Sequence, residues 1–576
     1  MDTIRWVARY IRPYWGSWLV ASILTIVVAL LNIATPYLSG EIVDLVIDGD
    51  RSDLLIPLLL VLIGSTLFRT LLRYIYQVRF EEISQNVLFQ IREDLYRKFQ
   101  ELDFNFFNHT RTGDIMARMT GDTDAIRHSV AWVYFNVLDN IVLFISALIF
   151  MSTIEWRLTL SLLVVTPFIV LFTVLLSAKA NRAFFEIRES FSRLNSMVEE
   201  NIRGNQIVKA FANENFEIEK FDQVNEDFKE SNMHSASISK RYLPLLETFA
   251  GFMSVIAIGF GGWLVLTGVM SVGNLVTFTG LIWMINLPMR NVGGHMNDLQ
   301  RLFGGTVKIR EMLMVRPHIP VEEREEVKYV EGAVEFQNVS FAFPDDPQYL
   351  VLNDISFKVK PGETVGIVGE TGSGKSTLVN LISRFFDPTE GRVLIDGKDI
   401  RYWNVIDLRK HITVVMQDAF LFSDTIGSNI SYNFPQTPIQ DVEEVAEIAD
   451  AREFIEEMPE KYETYLGEQG SGLSGGQKQR VSLARGLLKD PAILILDDTT
   501  SALDMETEVR IQRGMEDVSQ NRTTFIIANR LSSVKNADQI LVLSKGEIQE
   551  QGTHEELLAK HGAYYRIYEE QLGQAD

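Results

Sequence analysis

The chain has 576 residues, a formal net charge of −22 and no cysteine. That length holds more than two average domains. The acidic balance argues against a general nucleic-acid surface, and the missing cysteines exclude disulfides, thiolate metal sites and cysteine nucleophiles. Mean hydropathy is near zero, yet this average hides two unlike parts. Long apolar stretches fill the N-terminal part, whereas the C-terminal part reads as an ordinary soluble α/β domain.

Met1–Tyr14 carries no cleavable signal pattern with a small-residue cut site. Ile4, Trp6, Val7 and Tyr10 alternate with Arg5, Arg9 and Arg12, as in a short helix lying on a membrane surface, with a plain helical cap as the alternative. Pro13–Gly40 is uncharged and exceeds the ~20 residues that a bilayer crossing needs. Leu54–Tyr74 is a second candidate span, with Arg69 and Arg73 near one end, where they can snorkel. Ser129–Ile154 is a third, interrupted by Asp139, and Leu158–Ala178 is a fourth. A tight Glu155-Trp156-Arg157 corner separates these two. Thr248–Met289 is uncharged and too long for one span; Thr267–Asn274, with Gly268 and Gly273, supplies a turn that divides it into a fifth and a sixth.

The basic residues set an expected orientation. The segment after span two holds Arg79, Arg92, Arg97, Lys98, Arg111, Arg118 and Arg127, and the segment after span four holds Lys179, Arg182, Arg188, Arg193, Arg203 and Lys209. The other connections hold little besides Arg51 and Arg157. Both long segments, both termini and the soluble domain are therefore expected in the cytoplasm, with the charged segments continuing the spans as long helices. Glu247 and Arg290 fall at span ends, where interfacial placement accounts for them. Asp139 lies deeper and has two readings, a place on a substrate path or a pairing with a neighbouring helix. The aromatics Trp132, Tyr134, Phe144, Phe150, Phe252, Trp263 and Trp283 suit an amphiphilic substrate, but equally suit lipid contact and packing.

Arg316–Val330, charged and containing Pro317 and Pro320, reads as a linker. Beyond it, Ala333–Phe343 and Ile355–Val359 have strand character. Thr364–Val368 is a short buried strand that runs into Gly369-Glu370-Thr371-Gly372-Ser373-Gly374-Lys375-Ser376-Thr377, followed by an apolar helix. Strand, glycine loop and helix form the context of a phosphate cradle. Its glycines let backbone N–H groups converge on phosphate oxygens, and the helix N-terminus adds partial positive charge. Lys375 is expected on the β- and γ-phosphates and Ser376 on Mg²⁺. Ile493–Leu496 is an apolar strand ending in Asp497, placed to hold the Mg²⁺ water shell.

With Leu473-Ser474-Gly475-Gly476-Gln477 added, the whole chain resembles a half-transporter of the ABC exporter family. The implied fold is an α-helical six-span transmembrane domain with long cytoplasmic extensions, followed by an α/β P-loop ATPase domain with a helical subdomain. The implied division is 1–315, a linker at 316–330, and 331–576. Phe106-Phe107, Thr112-Gly113-Asp114 and Arg118 resemble the first coupling region of that family, and Arg203-Gly204, Val208–Phe211 and Glu214 the second. By the same resemblance Phe343 stacks on adenine, Gln417 touches Mg²⁺, Glu468 within Leu466–Gly470 contacts coupling helices, and Ser501–Asp504 contacts the other half of a dimer. Ser474, Gly475, Gly476 and Gln477 clasp the ATP held by a second copy or partner.

Three positions depart from the family pattern. Asp498 stands where a catalytic Glu is usual, which withdraws the carboxylate by ~1.5 Å, and a misplacement of ~1 Å can cost ~10²-fold in rate. Asn529 stands where the switch histidine is usual; an amide donates a hydrogen bond but transfers no proton. Thr499 replaces the usual Ala. These changes, with every binding element kept, imply the degenerate-site half of a heterodimeric exporter whose partner supplies Glu and His. Export of a small or amphiphilic molecule across a plasma membrane is the expected activity. The alternatives are a slow homodimer, an importer on the same fold, and a protein gated by ATP.

Overall fold

The computed structural model describes residues 2–319, 329–499, 505–519 and 522–572. Contacts divide the chain into two compact units: Met1–Gln100 with Arg111–Val315, and Glu101–Thr110 with Arg316–Asp576.

The first unit is helical. Helix α1 (Asp2–Ile11) is strongly amphipathic. Trp6 and Val7 are buried in the protein and Ile4 is exposed, so part of the apolar face packs on the protein itself. Helix α2 (Trp15–Leu31) is followed by Ala34–Ile42 and a wider turn to Asp48. Helix α3 spans Leu55–Glu101, α4 Tyr134–Leu163, α5 Thr166–Arg203, α6 Glu214–Leu266 and α7 Val272–Met314. Among the described residues, six helical stretches are long and apolar enough to cross a membrane.

The connections follow from local chemistry. Glu155 takes an extended backbone inside α4 and makes the expected corner between spans three and four. The fourth span is not the unbroken helix its composition suggests. It breaks at Val164–Val165 because Pro167 has no N–H and its ring crowds the carbonyl of Leu163. Helix α6 ends in a Schellman turn: Gly268, at positive φ, donates its N–H to Val265, while Val269 donates to Leu264. Ser271 then caps α7, its hydroxyl accepting the Asn274 N–H at 3.1 Å.

Small residues bring the end of the first span close to α7. A Cβ on Gly40 would collide with the Thr277 hydroxyl and the Gly273 carbonyl, so this close approach leaves no room for a side chain at position 40. Asp44 secures this contact by accepting the Ser271 hydroxyl at 2.5 Å and the Gly273 N–H at 2.6 Å. Polar pairs tie other helices together: Arg69 donates to the Asn32 side-chain oxygen at 3.0 Å, and Asn140 meets His295 at 2.9 Å. Arg73 is the opposing charge acting on Asp139. Trp132, Phe252, Trp263 and Trp283 are exposed on this unit, and Phe144 and Phe150 pack against its buried cluster.

The second unit is α/β. Strands β1 (Val334–Ala342), β2 (Leu350–Val359), β4 (Glu390–Ile395) and β5 (Lys398–Asp399) form an antiparallel sheet in the order β2-β1-β4-β5. Strands β3 (Thr364–Gly369), β6 (Ile412–Val415), β7 (Ile493–Asp497), β8 (Thr523–Ile527), β9 (Gln539–Ser544) and β10 (Glu547–Gly552) form a second sheet in the order β10-β9-β3-β8-β7-β6. Its strands are parallel except β10. The parallel strands are continuous apolar runs because both faces are covered. Helix α8 (Lys375–Ile382) packs between the sheets, and α9 (Gly475–Leu488) lies with the helical subdomain in a separate apolar cluster. Helices α10 (Met505–Ser519) and α11 (Ala563–Leu572) complete the unit.

Within this unit Glu101–Thr110 forms a short docked segment. The Phe104 ring lies 4.4 Å from that of Phe385, and the Asp103 carboxylate accepts the N–H groups of His318 and Ile319. Ser501–Asp504, expected to contact the other half of a dimer, lies outside the described residues, as does most of the expected 316–330 linker.

Candidate functional site

Four neighbouring parallel strands end at one edge and deliver the site. Going across β3, β8, β7 and β6, their C-terminal ends lead into the glycine loop, Asn529, the Asp497–Asp498 pair and Gln417. Such an edge is where ligands bind in open α/β sheets. Pairing of Asp497 with Ile527 and of Leu496 with Val415 sets the three neighbouring strands in register. Sequence positions more than 80 residues apart thus converge.

The glycine loop has the geometry that its composition requires. Gly372 and Gly374 have φ of 83° and 98°, and Gly374 caps α8. A Cβ on Gly374 would lie 2.8 Å from the Leu352 side chain, so an L-residue here is both strained and crowded. Lys375 folds back over the loop and donates to the carbonyls of Gly369 at 2.8 Å and Glu370 at 2.9 Å. Burial pushes its pKa down, opposed by the charges of Asp497 and Asp498. The Ser373 hydroxyl is buried and has no hydrogen-bond partner among the described residues. A cradle of backbone N–H groups, a cation and an orphaned hydroxyl fits a polyphosphate.

Asp497 is half-buried, and burial raises its pKa; the Asp498 charge adds to this, while the Ser376 hydroxyl bond and Lys375 oppose it. A hydroxyl and a carboxylate at hydrogen-bond distance beside a phosphate cradle form an oxygen donor set that suits Mg²⁺.

Asp498 continues β7 by donating its N–H to Ile527 at 2.9 Å, and it then turns into the left-handed region at φ 49°. Its side chain is buried. One carboxylate oxygen accepts the Asn529 amide at 2.8 Å and lies 3.4 Å from the Gln417 amide. Gln417 is backed by Gln479, which reaches the Gln417 carbonyl at 3.4 Å. The structure thus joins Gln417, Asp498 and Asn529 in one hydrogen-bonded set. Thr499 is buried beside them.

Other expected residues lie apart from this set. Phe343 is held edge-on by Phe341 and Phe386 at centroid distances of 5.0 and 5.4 Å. It faces a cavity of about 300 Å³ whose lining contains none of the glycine loop. Ser474 caps α9 through a capping box: its hydroxyl accepts the Gln477 N–H, and Gln477 Oε1 accepts the Ser474 N–H at 2.9 Å. Among the described residues no hydrogen bond joins Ser474–Gln477 to the glycine loop. Glu468 sits in an exposed turn with Gln469 at φ 53°.

One residue that sequence reasoning missed is Gln571, which bonds to the backbone on both sides of Arg530. It lies 42 positions from Asn529 on a polar C-terminal helix, and no local pattern marks it.

Comparisons with known proteins agree with this architecture. The ABC transporter transmembrane region family matches residues 18–289, and the ABC transporter family matches residues 352–501. YknU of Bacillus subtilis (strain 168), an uncharacterized ABC transporter ATP-binding protein, is 35% identical, with 99% of this chain and 97% of that protein covered. An ATP-dependent lipid A-core flippase of Syntrophus aciditrophicus (strain SB) is 33% identical, with 99% and 95% covered. A bacterial Atm1-family ABC exporter with ATP bound superposes with a TM-score of 0.80 at 27% identity, covering 97% of this chain and 98% of the other. The chain belongs to the ABC transporter family, as an exporter with fused transmembrane and ATP-binding domains. It is a multi-pass membrane protein and a transport-coupled ATPase of a family whose members act as dimers.

Proposed function

We propose that this chain is one half of an asymmetric exporter of small or amphiphilic molecules, and that its own ATP site turns over slowly. The observation that supports this most is the amide of Asn529 on the carboxylate of Asp498, at 2.8 Å. An attacking water needs a proton acceptor at this place. Here the shortened carboxylate is tied to a neighbour that can donate a hydrogen bond but cannot take up or pass on a proton.

Binding is a separate matter. Lys375 and the Gly369–Thr377 backbone would hold the phosphates, Ser376, Asp497 and Gln417 would hold Mg²⁺, and Phe343, from the cavity it lines, would offer its ring to adenine. When bound, that ion supplies neutralisation of the charge on the phosphates. Ser474–Gln477 of this chain complete the ATP site of the partner, a half-transporter that carries the catalytic Glu and switch His. Closure over two nucleotides is passed to the spans through the regions near Gly113 and Gly204, and hydrolysis at the partner's site resets them. The lipid A-core flippase among the relatives supports a lipid-like substrate. A bacterial plasma membrane, with both termini and the ATPase domain cytoplasmic, is the proposed location.

ATP turnover by the purified full chain, alone and with a co-expressed half bearing Glu and His, tests this. Negligible turnover alone that rises with the partner supports the asymmetric pair. Asp498→Glu with Asn529→His should raise turnover of the chain alone by about tenfold or more. Robust turnover by the unaltered chain would overturn the proposal in favour of a homodimer. Uphill flux into inverted vesicles separates a pump from a gate or an importer.

A further inference from the structure

The first unit carries a basic recess between α5 and α6. Lys179, Arg182 and Glu186 recur at helical spacing on α5, and His234, Arg241 and Tyr242 do so on the antiparallel α6. Together they line a cavity of about 510 Å³. Three cations thus share the recess with one carboxylate, in a protein whose net charge is −22. Glu186 is engaged by His234 at 3.0 Å and Arg182 at 3.6 Å. Lys179 and Arg241 have no carboxylate partner among the described residues. Both instead flank the Tyr242 ring, at 5.2 and 6.0 Å from its centroid.

The depth of the recess indicates what it takes. Lys179 is the first charge after the uncharged stretch Leu158–Ala178, and Tyr242 precedes the uncharged stretch Thr248–Met289. The two cations therefore stand at the level where hydrocarbon gives way to headgroups. Basic pockets between helices at this level recognise anionic headgroups.

We infer that this recess binds the phosphate of an anionic lipid from the cytoplasmic leaflet, with Lys179 and Arg241 on the phosphate oxygens and Tyr242 beneath them. The inference rests on the orientation proposed above, but not on the weakness of the nucleotide site.

The test uses the full-length protein in detergent, titrated with fluorescent phosphatidylglycerol; phosphatidylcholine and inorganic phosphate form parallel arms. Phosphatidylglycerol should bind in preference to phosphatidylcholine. Lys179→Gln with Arg241→Gln should weaken it about 25-fold, from roughly fivefold per cation removed. Lys179→Arg with Arg241→Lys, which keeps the charge, should retain binding. Arg193→Gln with Lys229→Gln, which removes ion-paired cations elsewhere on the same helices, should change nothing. Equal binding by the Lys179→Gln, Arg241→Gln variant and the unaltered protein would overturn the inference. So would binding of inorganic phosphate with no preference between the two lipids. Because the readout is lipid binding, a robust ATPase would sink the reading of the nucleotide site and leave this one standing.

Discussion

Gln571 donates its side-chain amide to the Asn529 carbonyl at 2.8 Å, and its Oε1 accepts the Leu531 N–H at 2.9 Å. The loop that carries Asn529 to Asp498 is therefore braced from the C-terminal helix. Glu508 on α10 braces the same stretch from another side, pairing with Arg530 at 3.3 Å and accepting the Ser533 hydroxyl. Gln571→Leu removes both of its bonds and should cost about 1–2 kcal/mol. In the Asp498→Glu, Asn529→His background it should lower the maximal ATP turnover more than the apparent affinity for ATP. An unchanged maximal rate would show that the brace does not position residue 529.

Asp44 is the cap that holds the end of the first span to α7. Its carboxylate takes the Ser271 hydroxyl and the Gly273 N–H at the start of that helix. Asp44→Ala should destabilise the first unit by about 2 kcal/mol, and Asp44→Asn by less, since an amide oxygen still accepts. Thermal unfolding of the detergent-solubilised protein reads this directly, and an unchanged midpoint for Asp44→Ala would refute it.

Lys489 gives a pH signature in the second unit. Its ammonium donates to the carbonyls of Arg409 at 2.6 Å and Ile412 at 2.7 Å, and burial pushes its pKa down to about 8 from an ordinary value of 10.5. The charged form is thus disfavoured in the folded state, and a penalty is present in full below about pH 8. Between about pH 8 and 10.5 the unfolded chain holds the proton that the folded chain has lost, so this group raises stability as pH rises. Comparing unfolding of the unaltered protein with Lys489→Met at pH 7.5 and 9.5 should show a smaller gain for the variant. Equal gains would place the titration elsewhere.

The chain order of the spans was legible because apolar runs and charged segments alternate cleanly. The glycine loop was legible because a strand, three glycines and a lysine occur together in a short window. The break at Val164–Val165 was less so: Pro167 stood in plain view, but an uncharged run reads as continuous until the carbonyl of Leu163 is placed against the proline ring. Asp498 and Asn529 stood out in the sequence as departures, yet their hydrogen bond depends on β7 and β8 lying side by side. The brace from Gln571 and the recess around Tyr242 depend wholly on long-range packing, which no local spacing encodes.

The lengths of the helices have a mechanical consequence. Helix α6 runs for 53 residues, or about 80 Å at ~1.5 Å per residue. Hydrocarbon accounts for about 30 Å of that, which leaves a rod of about 50 Å. A tilt of ~10° where the rod leaves the bilayer would sweep its tip through about 9 Å, by geometry alone. Helix α6 is thus a lever that converts small angular changes among packed spans into large strokes at its far end, and large strokes there into small, forceful rotations within the membrane.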